Sequence, residues 1–211
     1  KVDPNAVKNL LQTIDAERLF QRPPLLSMGK EIAAGVTDTE QKVEQIILEV
    51  TEQCNFRCKY CVYSEDFSGN RDFGNRRMPT EIAFKAIDWA LENSGAKLAI
   101  TFYGGEPLLN LPVCKEVVEY GHKRAAELGK VLKITLTTNG VLLDDEVGKW
   151  VNDEHMDAVL SLDGRQEIHD NMRRFVGGQP SYQTCVDHFK KFVETRGQQW
   201  YYVRGPYTHY N

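Results

Sequence analysis

From residue 45 onward, short apolar runs alternate with stretches of helical spacing, and this rhythm limits the fold more than any other feature. Residues 45–50, 98–103, 131–137, 158–162 and 200–204 read as strands. Residues 79–93, 111–128, 144–151 and 182–194 read as helices, the first with Ile82, Phe84, Ala86, Ile87, Ala90 and Leu91 at its apolar positions. Gly104-Gly105, Asn139-Gly140 and Asp163-Gly164 close three of the strands. Strands that alternate with helices across short turns build parallel βαβ units. Right-handed crossovers then bring every strand C-terminus to one end, where such folds carry their chemistry. The expected class is α/β.

The chain has 211 residues and a formal net charge of −4. That balance argues against a dedicated nucleic-acid binder, whose footprint is a basic face. No run of apolar residues is long enough to span a bilayer, so no membrane role is expected. Residues 1–44 stand apart from the rhythm. Val7 to Phe20 has helical spacing behind an Asp3-Pro4 start signal, and Pro23-Pro24 ends it. Residues 21–44 read as a linker packed across the main domain, with a loose lead-in as the competing reading. The expected domains are 1–44, a helical segment and linker, and 45–211, the α/β core.

Five cysteines are an odd number, and Cys54, Cys58 and Cys61 fall within eight residues directly after the first strand. In a chain of this size such clustering indicates a metal or catalytic site in a reducing, cytoplasmic compartment and not a disulfide framework. Three thiolates in a C-x3-C-x2-C loop can wrap one soft metal centre. A closed structural zinc site needs four ligands, and residues 45–78 offer no fourth Cys and no His. The count therefore favours an iron–sulfur cluster with an open position.

Cys54-Asn-Phe-Arg-Cys58-Lys-Tyr60-Cys61 resembles the cluster motif of the radical S-adenosylmethionine (SAM) superfamily. Further motifs arrive in order on successive strand ends. Gly104-Gly105-Glu106-Pro107 is similar to the GGE motif, and Thr137-Thr138-Asn139-Gly140 and Ser161-Leu162-Asp163-Gly164 resemble ribose- and carboxylate-contacting positions. His169-Asp170-Asn171-Met172-Arg173 resembles an HDxxR segment. The resemblance implies a partial (β/α)6 TIM-like barrel behind a short N-terminal helical segment, truncated after the fifth strand. It implies that Cys54, Cys58 and Cys61 hold a [4Fe–4S] cluster and form the catalytic centre. The fourth iron then binds SAM, with Tyr60 beside the adenine. Gly104, Gly105, Glu106, Pro107, Thr138, Asn139, Ser161, Asp163 and Arg173 are the implied SAM contacts. The glycines are expected to let backbone approach the ligand, Glu106 to accept from an ammonium, and Arg173 to pair with a carboxylate. A polar rim of strand ends above an apolar barrel would suit this chemistry.

The GGEPLLN string from Gly104 to Asn110 and the Arg204-Gly205-Pro206-Tyr207-Thr208 stretch resemble the peptide-modifying branch, whose members carry SPASM or twitch extensions. Maturases of SCIFF peptides are the nearest resemblance. It implies a Cys-containing precursor peptide, leader plus core, as substrate and a thioether cross-link as product. It also implies an external electron donor such as flavodoxin or ferredoxin, and auxiliary [4Fe–4S] clusters in a C-terminal extension. Residues 1–20 would be the last helix of a leader-recognition domain. Pro206 stands where a smaller or hydroxylated residue is expected. Formylglycine formation, as by an anaerobic sulfatase maturase, is the alternative in the same branch. A zinc-binding interaction module is the alternative in another class.

Cys114 and Cys185 lie in apolar helical stretches and are expected in the core. His122, His155, His188 and His209 are scattered and assigned to no metal, and His169 is expected as a structural hydrogen-bonder. Tyr201, Tyr202, Tyr207 and Tyr210 are read as packing or rim aromatics. Tyr63 is a candidate contact to cofactor or substrate. Arg71, Arg76 and Arg77 are either a solvated loop or a contact for an acidic leader.

Overall fold

Alternation along the strands sorts the residues into a helix-facing layer and an inner layer. This is seen in a computed structural model of the chain, which describes residues 4–16, 42–64 and 73–207. The chain divides into two units, residues 1–41 and 42–211. In the first, helix α1 (Pro4–Ala16) begins on the proline the sequence pointed to, and the remainder of the expected helix and most of the expected linker lie outside the described residues.

The second unit is built on five strands: β1 (Val43–Thr51), β2 (Ser94–Gly104), β3 (Val131–Thr138), β4 (Asp157–Ser161) and β5 (Tyr201–Arg204). They pair in the order β1-β2-β3-β4-β5, every pair parallel. An order that never reverses belongs to strands wound in one direction, as in a β/α barrel, and not to a doubly wound sheet. The fold is a partial TIM-like barrel.

Connecting helices are α2 (Thr80–Asn93), α3 (Leu111–Glu127), α4 (Asp145–Asp153), α5 (Gln166–Met172) and α6 (Tyr182–Thr195). A 3-10 turn, Pro107–Asn110, precedes α3. The short α5 was not expected, because it has too few apolar positions to show a period. Asp144, expected as the first residue of α4, is its cap: its carboxylate accepts from Val147 N at 2.9 Å. Strand β1 starts two residues before the expected boundary, so Val43 and Glu44 belong to the sheet and not to a linker.

Leu98, Ile100 and Phe102 of β2 and Ile134 and Leu136 of β3 are buried in one core with Ile87 and Leu91 of α2 and Val117 and Val118 of α3. Cys114 and Cys185 lie wholly within it. The opposite faces of these strands carry Thr101, Tyr103, Thr135 and Thr137, and β1 contributes Gln45, which donates to Thr101 at 2.7 Å. The inner face is therefore mixed, its threonines lying beside Ile47 of β1 and Val159 of β4, where an apolar barrel was expected. At the far end, the buried Arg196 donates to the carbonyls of Met156 (2.8 Å) and Trp200 and to Asn152 (2.9 Å). It ties the end of α6 to β5. Among the described residues no helix is long and apolar enough to cross a membrane.

Candidate active site

The loop after β1 is held in place by two neighbouring segments. On one side it clamps to the end of β2: Gly105 N donates to Thr51 O at 2.9 Å and Glu106 N to Gln53 O at 2.8 Å. A Cβ on Gly105 would stand 2.0 Å from the Gln53 carbonyl oxygen, and one on Gly104, whose φ is +125°, would stand 2.5 Å from that of Thr51. The two glycines thus admit the backbone of the cysteine loop, where approach to a ligand was expected. On the other side the loop forms a two-stranded ribbon with residues 172–176. Phe56 bridges Phe175 in antiparallel register, Arg57 N donates to Arg174 O (2.8 Å) and Lys59 N to Met172 O (3.0 Å).

Alternation along this ribbon turns Phe56, Cys58 and Tyr60 inward and leaves Arg57 and Lys59 exposed. A cleft of about 320 Å³ opens at the strand C-terminal ends, lined by Cys54, Cys58, Cys61 and Tyr60 on the loop side. Gly104, Gly105, Glu106, Pro107, Asn139 and Arg173 line it as well. These are ten of the thirteen residues expected at the site. Thr138, Ser161 and Asp163 are not among the lining residues. For Thr138 the reason is the period of two: Thr137 faces the cleft, so Thr138 faces the helices, where its hydroxyl donates to Glu106 at 2.8 Å. Asp163 acts from behind the wall. Its Oδ2 accepts from the Tyr60 hydroxyl at 2.7 Å, and that hydroxyl accepts from Arg173 Nη1 at 2.7 Å. The Arg173 and Asp163 charges lie 3.8 Å apart.

Sequence reasoning missed four other lining residues: Phe56, Val62, Tyr103 and Arg204. Arg204 ends β5 and Tyr103 is the last residue but one of β2, and the face of a strand end was the signal that would have found them. Tyr63 also lines the cleft and donates to Glu49 at 2.5 Å, and Pro206 sits at its margin. Among the described residues Arg204 makes no ion pair.

Glu106 is buried, and three donors hold it: Leu108 N (3.2 Å), Thr138 Oγ1 (2.8 Å) and Asn139 N (2.8 Å). Its carboxylate ties the turns after β2 and β3 together, and any ammonium it accepts from shares it with these bonds. Asn139 passes the link on, donating to Asn55 at 2.7 Å, beside Cys54. His169 is buried between Asp163 N (3.3 Å to Nδ1) and Ser181 Oγ (3.0 Å to Nε2), and burial, reinforced by the Arg173 charge, pulls its pKa down to about 4.

Burial pushes the Cys54 thiol up to about 12, with the Glu106 charge adding to it. Burial likewise raises Cys58 to about 11, against the pull of Arg173. Buried thiols held above neutral are poor free nucleophiles, and they release protons when a metal centre binds. Burial opposes the Arg173 charge, yet Cys58, Tyr60 and Asp163 around it hold the guanidinium protonated. Its buried Nε has no hydrogen-bond partner among the described residues, which leaves a donor for a ligand. Among the described residues no three His, Cys, Asp or Glu side chains converge as one metal ion requires. Three thiols on one loop around a cleft instead suit a cluster, which takes each thiolate at a different iron.

The family model "Radical SAM superfamily" matches residues 48–196. This chain belongs to the radical SAM superfamily. The family implies a [4Fe–4S] cluster and SAM, and the donor set just described fits both. The radical SAM chain is 30% identical over 139 residues to an uncharacterized protein of Methanocaldococcus jannaschii, covering 66% of this chain and 45% of that one. It is 29% identical over 149 residues to a serine-type anaerobic sulfatase-maturating enzyme of Bacteroides thetaiotaomicron, covering 70% of this chain and 35% of that one. Among solved structures, native anSMEcpe with bound AdoMet superposes with a TM-score of 0.64 at 25% identity, covering 76% of this chain and 43% of that one. The chain thus spans less than half the length of these proteins.

Proposed function

We propose that this radical SAM chain is the core of a peptide maturase that takes a hydrogen atom from a residue of a precursor peptide and links that residue to a cysteine sulfur as a thioether, the thiol proton passing to water and the second electron to an auxiliary iron–sulfur cluster. The observation that carries the reading is the cleft itself: three thiols, a Tyr60–Asp163–Arg173 cluster and Arg204, which has no ion pair among the described residues, converge at the strand C-terminal ends. When bound, the cluster and SAM would supply an electron and, by reductive cleavage of the sulfonium, a 5′-deoxyadenosyl radical. The protein does the rest. Cys54, Cys58 and Cys61 would hold the cluster. Arg173 Nε and Arg204 offer donors to a carboxylate at the cleft. The Asn139–Asn55 bond and the Gly105 clamp fix the loop, so that the reacting atoms keep one geometry. Tyr103 and Thr137 line the cleft from the inner face of the sheet.

Formylglycine formation is the second reading, supported by the likeness to the sulfatase-maturating enzyme and to anSMEcpe. The core common to both reactions does not separate them, and the product does. Protein reconstituted anaerobically with iron and sulfide should be brown, contain both elements in equal amount, and convert SAM to 5′-deoxyadenosine. Loss of two hydrogens from a peptide, with one cysteine made inert to alkylation, indicates the thioether. An aldehyde trapped by a hydrazine indicates formylglycine. Colourless protein holding one zinc would overturn the enzyme reading, and SAM cleavage that survives Cys58→Ala would overturn the ligand assignment.

A further inference from the structure

The ribbon that carries Cys58 has a second face. Inward are Phe56, Cys58 and Tyr60, with Arg173 from the opposing strand; outward are Arg57, Lys59 and Arg174, all exposed. The three outward cations have neutral partners among the described residues. Arg57 donates to the carbonyls of Cys54 (3.0 Å) and Phe56 (2.7 Å), Lys59 to Asn171 (2.6 Å), and Arg174 to the Gly178 carbonyl (3.2 Å). None is neutralised by a carboxylate there. Arg57 also stacks over Phe73, 4.0 Å from the ring centroid, which holds its guanidinium in place. In a chain of net charge −4, three cations set on the back of one ribbon form a local positive field. Only the thickness of the ribbon's backbone separates this face from Cys58.

We propose that the outer face of this ribbon, Arg57, Lys59 and Arg174, docks a small acidic one-electron carrier protein. The inference rests on the cluster assignment above, since an electron must reach the thiol-bound centre from outside. One electron leaves the reduced carrier, which is oxidised by one, and reduces the cluster by one. Charge complementarity of this kind acts chiefly on the association rate. An acidic peptide would meet the same charges, but the face points away from the cleft where a peptide must react.

The test uses the full chain, reconstituted, and a reduced acidic flavodoxin as probe. Binding of the flavodoxin and its rate of electron delivery should both fall when salt is raised from about 0.1 M to about 1 M, which shortens screening from about 10 Å to about 3 Å. The pair Lys59→Glu with Arg174→Glu should lower the association rate about ten-fold or more, while reduction by dithionite stays at the wild-type rate. A control pair of equal charge change at exposed sites elsewhere, Lys97→Glu with Lys123→Glu, should leave both unchanged. If charge reversal unfolds the loop, Lys59→Gln with Arg174→Gln should give the same selective loss in weaker form. Unchanged flavodoxin binding in the ribbon variants, or equal loss in the control pair, overturns the proposal. So does loss of an acidic peptide's binding with the flavodoxin's retained. Failure of dithionite-reduced wild type to cleave SAM would sink the proposed function instead, and flavodoxin binding would still decide the docking face.

Discussion

Tyr60 and Asp163, 103 residues apart in the chain, are joined by a 2.7 Å hydrogen bond that closes the wall of the cleft behind the cysteine loop. Arg173 completes the group from the other side of the phenol.

Removing one member leaves the others stranded. Arg173→Met leaves the buried Asp163 carboxylate without its counter-charge and should cost about 3–5 kcal/mol. Tyr60→Phe removes a donor and an acceptor together and should cost about 1–3 kcal/mol. In the double variant Arg173→Met with Asp163→Asn most of the larger loss should return. Urea denaturation midpoints check all three, and an Arg173→Met midpoint equal to wild type would refute the ion-pair account.

Gly105→Ala puts a methyl 2.0 Å from the Gln53 carbonyl oxygen and must push the cysteine loop away from β2. Iron and sulfide retained per chain after reconstitution should drop several-fold. Gly129→Ala has open space around it and a φ of +63°, so it should cost only about 1–2 kcal/mol in backbone strain and leave the iron content intact.

His169 carries a pH dependence that the fold imposes. Its Nδ1 accepts from Asp163 N, so the neutral ring with the proton on Nε2 is the form that fits. The folded chain takes up the proton near pH 4, whereas an unfolded chain takes it up near the ordinary 6.5. Its contribution is whole above pH 6.5 and is lost as pH falls toward 4. The loss is on the order of 3 kcal/mol. His169→Gln keeps an acceptor and a donor without the titration. Its stability measured by denaturation should change less across that window than the wild type's.

Arg204 is the cleft cation left without an ion pair among the described residues. If it serves a carboxylate of SAM, Arg204→Ala should raise the dissociation constant of SAM about ten-fold or more, the value of one charged hydrogen bond. Equilibrium dialysis on reconstituted protein measures it. The same substitution should leave the denaturation midpoint nearly unchanged, because Arg204 is exposed.

Much of this was legible in the chain. The strand and helix rhythm announced the parallel sheet, since each strand's apolar period and each Gly-containing turn act locally. The three cysteines and the Gly104–Pro107 stretch marked the site for the same reason: close spacing forces closeness in space. Asp163 and Thr138 were expected at the cleft but stand behind its wall, and Glu106 lines the cleft with its carboxylate already engaged. Each is engaged with a partner from another strand end, and a linear reading does not reveal which face of a strand a neighbour takes. Short α5 and the 3-10 turn carried too few apolar residues to show a period.

The sequence by itself determined the succession of strands and helices, the cysteine loop after the first strand and the family to which the chain belongs. Tertiary structure alone decided that Gly105 makes room for backbone and that Thr137, not Thr138, faces the cleft. It also decided that Arg57 and Lys59 stand on the back of the ribbon whose front carries Cys58. The physical reason is common to all three. Local chemistry sets the period of an element, but the direction in which that period points is set by what packs against it.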